Sequence, residues 1–197
     1  MRRQLAASRV LNPRSVWHKE GVSAERRPPK PLDPALLERL ALRYVERFAT
    51  TEGKLIDYLR RKLRERGWAG EGMPDPEGLA AKMVSLRYID DRAYAEAKAA
   101  SLARRGMGAR RVRQALHAAR IGAEDSEAVA PQVAEAARDA ALAFARRRRI
   151  GPFGDGEADH GVRERQFAAM MRAGHDMALA RRIVSAPPGE MLDDGDF

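Results

Sequence analysis

Leu86 to Leu116 reads LRYIDDRAYAEAKAASLARRGMGARRVRQAL, and the way this stretch divides decides the fold. Asp90 and Asp91 are of the type that starts helices, because a short carboxylate accepts the free N–H groups of a first turn. Alanines and Leu102 then hold helical spacing, Gly106-Met107-Gly108 interrupts it, and Val112 and Leu116 resume it. The reading is a helix from Asp91 to Arg105, a glycine turn, and a helix from Ala109 to Ala119. No catalytic group stands among these residues, so the stretch reads as a helical binding surface and not as an enzyme site.

The same grammar recurs on both sides. Upstream, Asp33-Pro34 opens a helix with Leu36, Leu37, Leu40, Ala41, Tyr44, Val45 and Phe48 at three- and four-residue spacing. Thr51 caps a second with Leu55, Ile56, Leu59 and Leu63, ended by Gly67, and Asp75-Pro76 opens a third with Leu79, Met83 and Leu86. Downstream, a short helix follows Asp125, and Pro131 separates it from a long helix running to Arg149. The loop GPFGDGEADHG, a helix from Val162 to Ala173, Gly174 and a last helix to Ser185 complete the pattern.

Aligning the ends of the middle helices pairs Leu63 and Gly67-Trp68 with Leu116 and Arg120-Ile121, and with Met170 and Gly174-His175, at intervals of 53 and 54 residues. A near-constant period reads as a repeat array, in which each unit buries part of its apolar face against its neighbour. The expected fold is all-α: nine helices in tandem three-helix, helix-turn-helix-like repeats forming an elongated array. The expected division is a disordered basic tail (1–31), repeats at 32–89, 90–133 and 134–186, and an acidic disordered tail (187–197). Aromatic residues Tyr44, Trp68, Tyr88 and Tyr94, at helical spacing or just past helix ends, read as core in preference to base-stacking platforms.

Charge bounds the partner. The formal net charge is +9, and a polyanion such as nucleic acid or a nucleoprotein surface is the natural complement. Arginine outnumbers lysine 31 to 6, which also reflects compositional bias, so placement of the charge has to decide. Arg104, Arg105, Arg110, Arg111, Arg113 and Arg120 share a segment with no acid and two glycines. Glycines ahead of a helix start permit close approach of a phosphate or carboxylate to its N–H groups; a solvated basic helix with a flexible lead-in is the equal alternative. Lys54, Arg60, Arg61, Lys62, Arg64 and Arg66 crowd the second helix, and Arg146 to Arg149 run unbroken at the end of the long one. A basic patch recurring along an array is what tracking a charged filament requires.

Other chemistries find no support. The chain has no cysteine, which excludes disulfides and thiolate sites and fits a reducing, cytoplasmic location. No apolar run approaches the ~20 residues of a membrane span. Asp90-Asp91 reads as helix capping, His18, His117, His160 and His175 lie far apart, and Asp155, Glu157, Asp159 and His160 lack a calcium-loop pattern. Neither a Ser-His-Asp, Walker or zinc arrangement nor a full Gly-x-Gly-x-x-Gly occurs. No catalytic residue, metal or cofactor is expected.

These residues resemble the bacterial RecX family, modulators of the RecA recombinase. The resemblance rests on Ala41-Leu42-Arg43-Tyr44, Leu55 to Gly67, Leu86-Arg87-Tyr88-Ile89-Asp90-Asp91, Arg105-Gly106-Met107-Gly108, Val112-Arg113-Gln114-Ala115-Leu116 and Met170-Met171-Arg172-Ala173-Gly174-His175. It covers Asp33 to Ser185. The chain departs from the family pattern at Ala93-Tyr94, where Arg-Phe is usual, at Ala100 and Leu102, where arginine is more frequent, and at Ala109, where proline is usual. The resemblance implies a monomeric helical array lying in the groove of the RecA filament on single-stranded DNA. There it would inhibit ATP hydrolysis and strand exchange and promote filament shrinkage, partly by blocking extension at the ends. Weak, salt-sensitive binding to bare DNA goes with this, and the expected contacts are Arg60, Arg61, Arg104, Arg105, Arg110, Arg111 and Arg113. The competing readings are a helix-turn-helix transcriptional regulator with a defined half-site, and a nucleic-acid enzyme, for which no convergent acids are present.

Overall fold

A computed structural model of the chain describes residues 30–192. Nearly all of the expected basic tail, and residues 193–197 of the acidic one, lie outside the described residues. Among the described residues ten α-helices form: α1 (Pro34–Arg47), α2 (Glu52–Arg66), α3 (Pro76–Ser85), α4 (Asp91–Arg104), α5 (Ala109–Ala118), α6 (Ala123–Ala128), α7 (Ala130–Glu135), α8 (Ala137–Arg148), α9 (His160–Ala173) and α10 (Met177–Ser185). A 3-10 turn, Gly151–Phe153, follows α8. Among the described residues there is no strand, only an isolated parallel bridge between Leu32 and Trp68. The all-α class with tandem three-helix repeats holds.

Capping explains where the helices start. Asp33 accepts the Leu36 N–H at 2.7 Å, Asp75 the Gly78 N–H at 2.8 Å, Asp90 the Ala93 N–H at 2.8 Å and Asp159 the Val162 N–H at 2.7 Å. Asp176 serves both the Ala178 and Leu179 N–H groups at the start of α10. The second unit is where local signals fall short. One break at Pro131 was expected, but the chain breaks twice, at Val129 (ψ −5) and at Ala136 (ψ −2), leaving α6 and α7 as six-residue pieces. Pro131 has no N–H to continue a ladder from α6, and it sits in the first turn of α7, where none is needed.

Buried residues fall into three clusters. Leu37, Ala41, Leu55, Leu59, Ala80 and Met83 join α1, α2 and α3, and the wholly buried Leu32 is drawn in by the bridge beside Trp68. Ala95, Ala99, Val112, Leu116 and Val129 form a smaller cluster, built around alanines that let α4 approach α5 closely. Phe144, Ile150, Met170, Ala180, Ile183 and Val184 unite α8, α9 and α10. Few large side chains are buried in the middle cluster, so its apolar burial contributes least, at about 25 cal/mol per Å². Its neighbours on either side must supply much of its stability.

Residues 187–192, read as the start of an acidic tail, lie against the third unit. The Gly189 N–H donates to the Pro152 carbonyl at 2.9 Å, Arg182 bonds Glu190 at 2.8 Å, and Arg138 donates to the Leu192 carbonyl at 2.9 Å. Of the aromatic residues assigned to the core, Tyr88 is 52% exposed; it lies with Val84 and Leu86 on the solvent side of the α3–α4 connection.

Candidate nucleic-acid interface

The Gly106-Met107-Gly108 turn is a joint. The Gly108 N–H donates to the Ala173 carbonyl at 2.9 Å, and the Arg110 N–H donates to the Gly174 carbonyl at 3.1 Å. A side chain at Gly108 would overlap the Gly174 carbonyl, and one at Gly106 (φ 66) would come within 2.9 Å of the Phe144 nitrogen. The close approach that glycine permits here is made by the third unit's own backbone, so the N-terminus of α5 offers no open anion cradle. Neither of the two readings weighed for this turn describes it.

A matching joint links the first and second units. Thr51, the N-cap of α2, donates its hydroxyl to the Ala119 carbonyl at 2.5 Å while accepting the Lys54 N–H at 3.2 Å. The Glu52 N–H donates to Asp91 at 2.9 Å, and Lys54 reaches the Tyr94 hydroxyl at 3.4 Å. At both joints the C-terminal carbonyls of a later middle helix (α5 or α9) meet the N-terminal donors of the preceding one (α2 or α5). The pairing satisfies groups that a helix end leaves open and aligns the partial charges of the two termini. Asp90 caps its own helix, as expected of the Asp-Asp pair, but Asp91 caps α2, 39 residues away.

Asp91 is strained electrostatically. Burial, followed by the carboxylates of Glu52, Asp125 and Asp90, raises its pKa above the usual carboxylate range, even though the Glu52 N–H favours the charged form. A raised folded-state pKa means that the folded chain holds the proton more tightly than the unfolded one. Stability is therefore lost as pH rises through that value. Asp91→Asn keeps an acceptor oxygen and removes the charge, so its melting temperature should exceed the wild type's near neutrality, the gain shrinking toward pH ~4. A gain that persists unchanged in acid would contradict this.

His175 lies at the second joint, 4% exposed, its ring 5.4 Å from that of Phe144 and without a hydrogen-bond partner on either nitrogen. Burial lowers its pKa, and the nearby Gly106 backbone offsets only part of this. The unfolded chain therefore takes up a proton first as pH drops below the ordinary histidine value of about 6.5, and stability present above that value is lost on the acid side. Thermal melts should show a steeper decline from about pH 7 to about pH 5.5 in the wild type than in His175→Leu. Parallel declines would remove His175 as the cause.

All seven expected contact arginines are exposed, but they are not equally available. Arg60 pairs with Glu77, Arg61 stands 3.6 Å from Glu65, and Arg110 donates to the Met171 carbonyl across the joint. Arg111 reaches the Gln114 side-chain oxygen at 3.3 Å. Among the described residues, Arg104, Arg105, Arg111 and Arg113 form no ion pair, which leaves four uncompensated guanidinium groups around the α4–α5 turn. The Arg146 to Arg149 run is largely committed: Arg146 lies over Phe153, Arg147 donates to the Arg105 carbonyl, Arg148 lies over Phe144 and Arg149 pairs with Asp155 at 2.7 Å. Arg120 spans the first joint to Asp57 at 3.0 Å.

The cap at Thr51 is as expected, but its bond to Ala119, the capping of α2 by Asp91 and the cluster of Arg43, Arg47 and Phe48 are absent from the sequence reading. Only Thr51 carried a local signal, its position ahead of a helix. No group of three or more histidines and carboxylates among the described residues is placed to hold a metal ion, and no helix there is long and apolar enough to cross a membrane.

Comparison with known proteins agrees with this architecture. Residues 90–129 match the family model of the RecX second three-helix domain. The regulatory protein RecX of Myxococcus xanthus is 35% identical over 174 residues, covering 81% of this chain and 90% of that protein. The regulatory protein RecX of Agrobacterium fabrum is 28% identical over 157 residues, covering 78% and 84%. The fold is similar to that in the crystal structure of RecX from Lactobacillus salivarius, with a TM-score of 0.54 at 16% identity over 76% of this chain and 93% of that one. A second RecX crystal structure gives 0.53 at 23% identity, over 76% and 70%. With 35% identity to the Myxococcus protein over most of both chains, and the second three-helix domain matched by the family model, the chain belongs to the RecX family of regulatory proteins.

Proposed function

We propose that this protein, as a cytoplasmic monomer, binds the RecA filament on single-stranded DNA and inhibits RecA's ATPase and strand exchange. The observation that carries this reading is the basic turn of the second unit: Arg104, Arg105, Arg111 and Arg113 are exposed and, among the described residues, in no ion pair, within the very segment that matches the family model. Units at 32–89, 90–133 and 134–186, joined through paired helix ends, give such a surface a fixed spacing. That is the geometry needed to follow a regular filament rather than a single site. Screened phosphate contacts account for a weak affinity for bare DNA.

Fluorescence anisotropy on a labelled single-stranded oligonucleotide, with and without RecA, tests the proposal. The expected result is tight binding to the RecA-coated strand and weak binding to the bare strand that fades as salt rises. Equal affinity for both, or retention of one duplex sequence at high salt, would overturn it; the latter would mark a transcriptional regulator.

A further inference from the structure

The C-terminal end of α1 and the adjoining face of α2 enclose a cleft of about 340 Å³ lined by Arg43, Tyr44, Arg47, Phe48, Tyr58 and Arg61. Tyr44 stacks on Tyr58 with ring centroids 4.3 Å apart and planes 18° off parallel, and Phe48 leans on Tyr44 at 5.3 Å. Arg47 lies 5.5 Å from the Phe48 centroid and Arg61 5.5 Å from that of Tyr58. Phe48 is 49% exposed although large and apolar. Among the described residues no carboxylate lines this cleft, although Glu65 stands 3.6 Å from Arg61, whereas acids line the open clefts at Asp57 and Glu77, at Asp90 and Asp91, and at Glu157.

Aromatic rings with guanidinium groups lying over them suit a flat π-system joined to a phosphate, whose base would take the place of Arg47 over Phe48 while the arginines turn to the phosphate. We propose that this cleft is a stacking site for an unpaired base of single-stranded DNA, with Phe48 and the Tyr44–Tyr58 pair against the base and Arg43, Arg47 and Arg61 on the adjacent phosphates. The inference rests on the reading that the protein works on a single-stranded nucleoprotein, and it places base contact on the first unit, away from the α4–α5 turn.

The test compares the full chain binding labelled oligothymidylate and an abasic strand of equal length in low salt. Oligothymidylate should bind about five- to tenfold more tightly, the scale of one or two weak stacking contacts. Phe48→Ala should erase that preference with little change in melting temperature, since Phe48 stands outside the buried cluster of the first unit. Phe48→Tyr should retain the preference, and Arg47→Ala should weaken both strands alike. Equal binding of the two strands by the wild type, or an unchanged preference in Phe48→Ala, would overturn the inference. So would displacement by an acidic phenylalanine-containing peptide in the absence of any base preference, which would assign the cleft to a protein ligand. RecA inhibition, measured alongside, separates the two readings: inhibition without base preference sinks only this inference, and base preference without inhibition sinks only the proposed function.

Discussion

Gly108→Val is expected to lower the unfolding free energy by about 3 kcal/mol or more, the range reached when packed backbone is forced apart. The new side chain would overlap the Gly174 carbonyl carbon and oxygen and the His175 nitrogen, all of them backbone atoms that cannot rotate away. Gly174 cannot simply retreat. Its φ of 92 is a left-handed value, and its own Cβ position already lies 2.5 Å from the Arg111 nitrogen. The two hydrogen bonds that seat α5 on the end of α9 would be lost with the separation. Gly156→Ala is the control, because nothing lies within 4 Å of its Cβ position and its φ is not positive. Urea unfolding should leave that variant within about 0.5 kcal/mol of the wild type. Equal midpoints for Gly108→Val and Gly156→Ala would show that the joint is not packed as described.

The second large effect is functional. The combined substitutions Arg104→Glu, Arg111→Glu and Arg113→Glu should raise the amount of protein needed for half-inhibition of RecA by more than about tenfold, because three uncompensated cations become anions facing a polyanionic partner. Stability should hardly move, since all three side chains are exposed and none is in an ion pair among the described residues. Arg111→Glu, in the first turn of α5, complements that helix's dipole and offsets Arg104→Glu in the last turn of α4. The slope of log affinity for single-stranded DNA against log salt should flatten by roughly one unit for each arginine that contacts phosphate. Arg60→Glu and Arg110→Glu are poorer probes, because Arg60 is held by Glu77 and Arg110 by the Met171 carbonyl. An unchanged half-inhibitory amount in the triple variant would move the contact surface elsewhere.

The helix frame was legible because its signals are local. Asp33, Thr51, Asp75 and Asp90 each accept from an N–H three residues ahead, and Gly67 and Gly174 end their helices at positive φ, all within reach of a short window of sequence. The period of the array was legible for the same reason, since each unit closes its middle helix alike. What failed was long-range. Asp91 capping a helix 39 residues away, and Gly108 receiving the end of α9, depend on how units stack, and no spacing within one unit encodes that. The run at Arg146 to Arg149 reads in sequence as a basic patch or as charges complementing the end of a helix, and its partners, the Phe153 and Phe144 rings, the Arg105 carbonyl and Asp155, are visible only in the fold. Tyr44 was counted as core. It does pack there, but the same ring also forms the floor of an open cleft, and helical periodicity alone cannot divide one ring between two surroundings.

Whether this arginine-bearing array acts on RecA is read most simply from RecA ATP hydrolysis on single-stranded DNA as the protein is added. Turnover should fall progressively and be largely suppressed by the time the protein equals RecA in amount, with the triple arginine variant shifted to higher amounts. Turnover unchanged at equal amounts, under salt conditions in which RecA itself remains bound to DNA, would contradict that action.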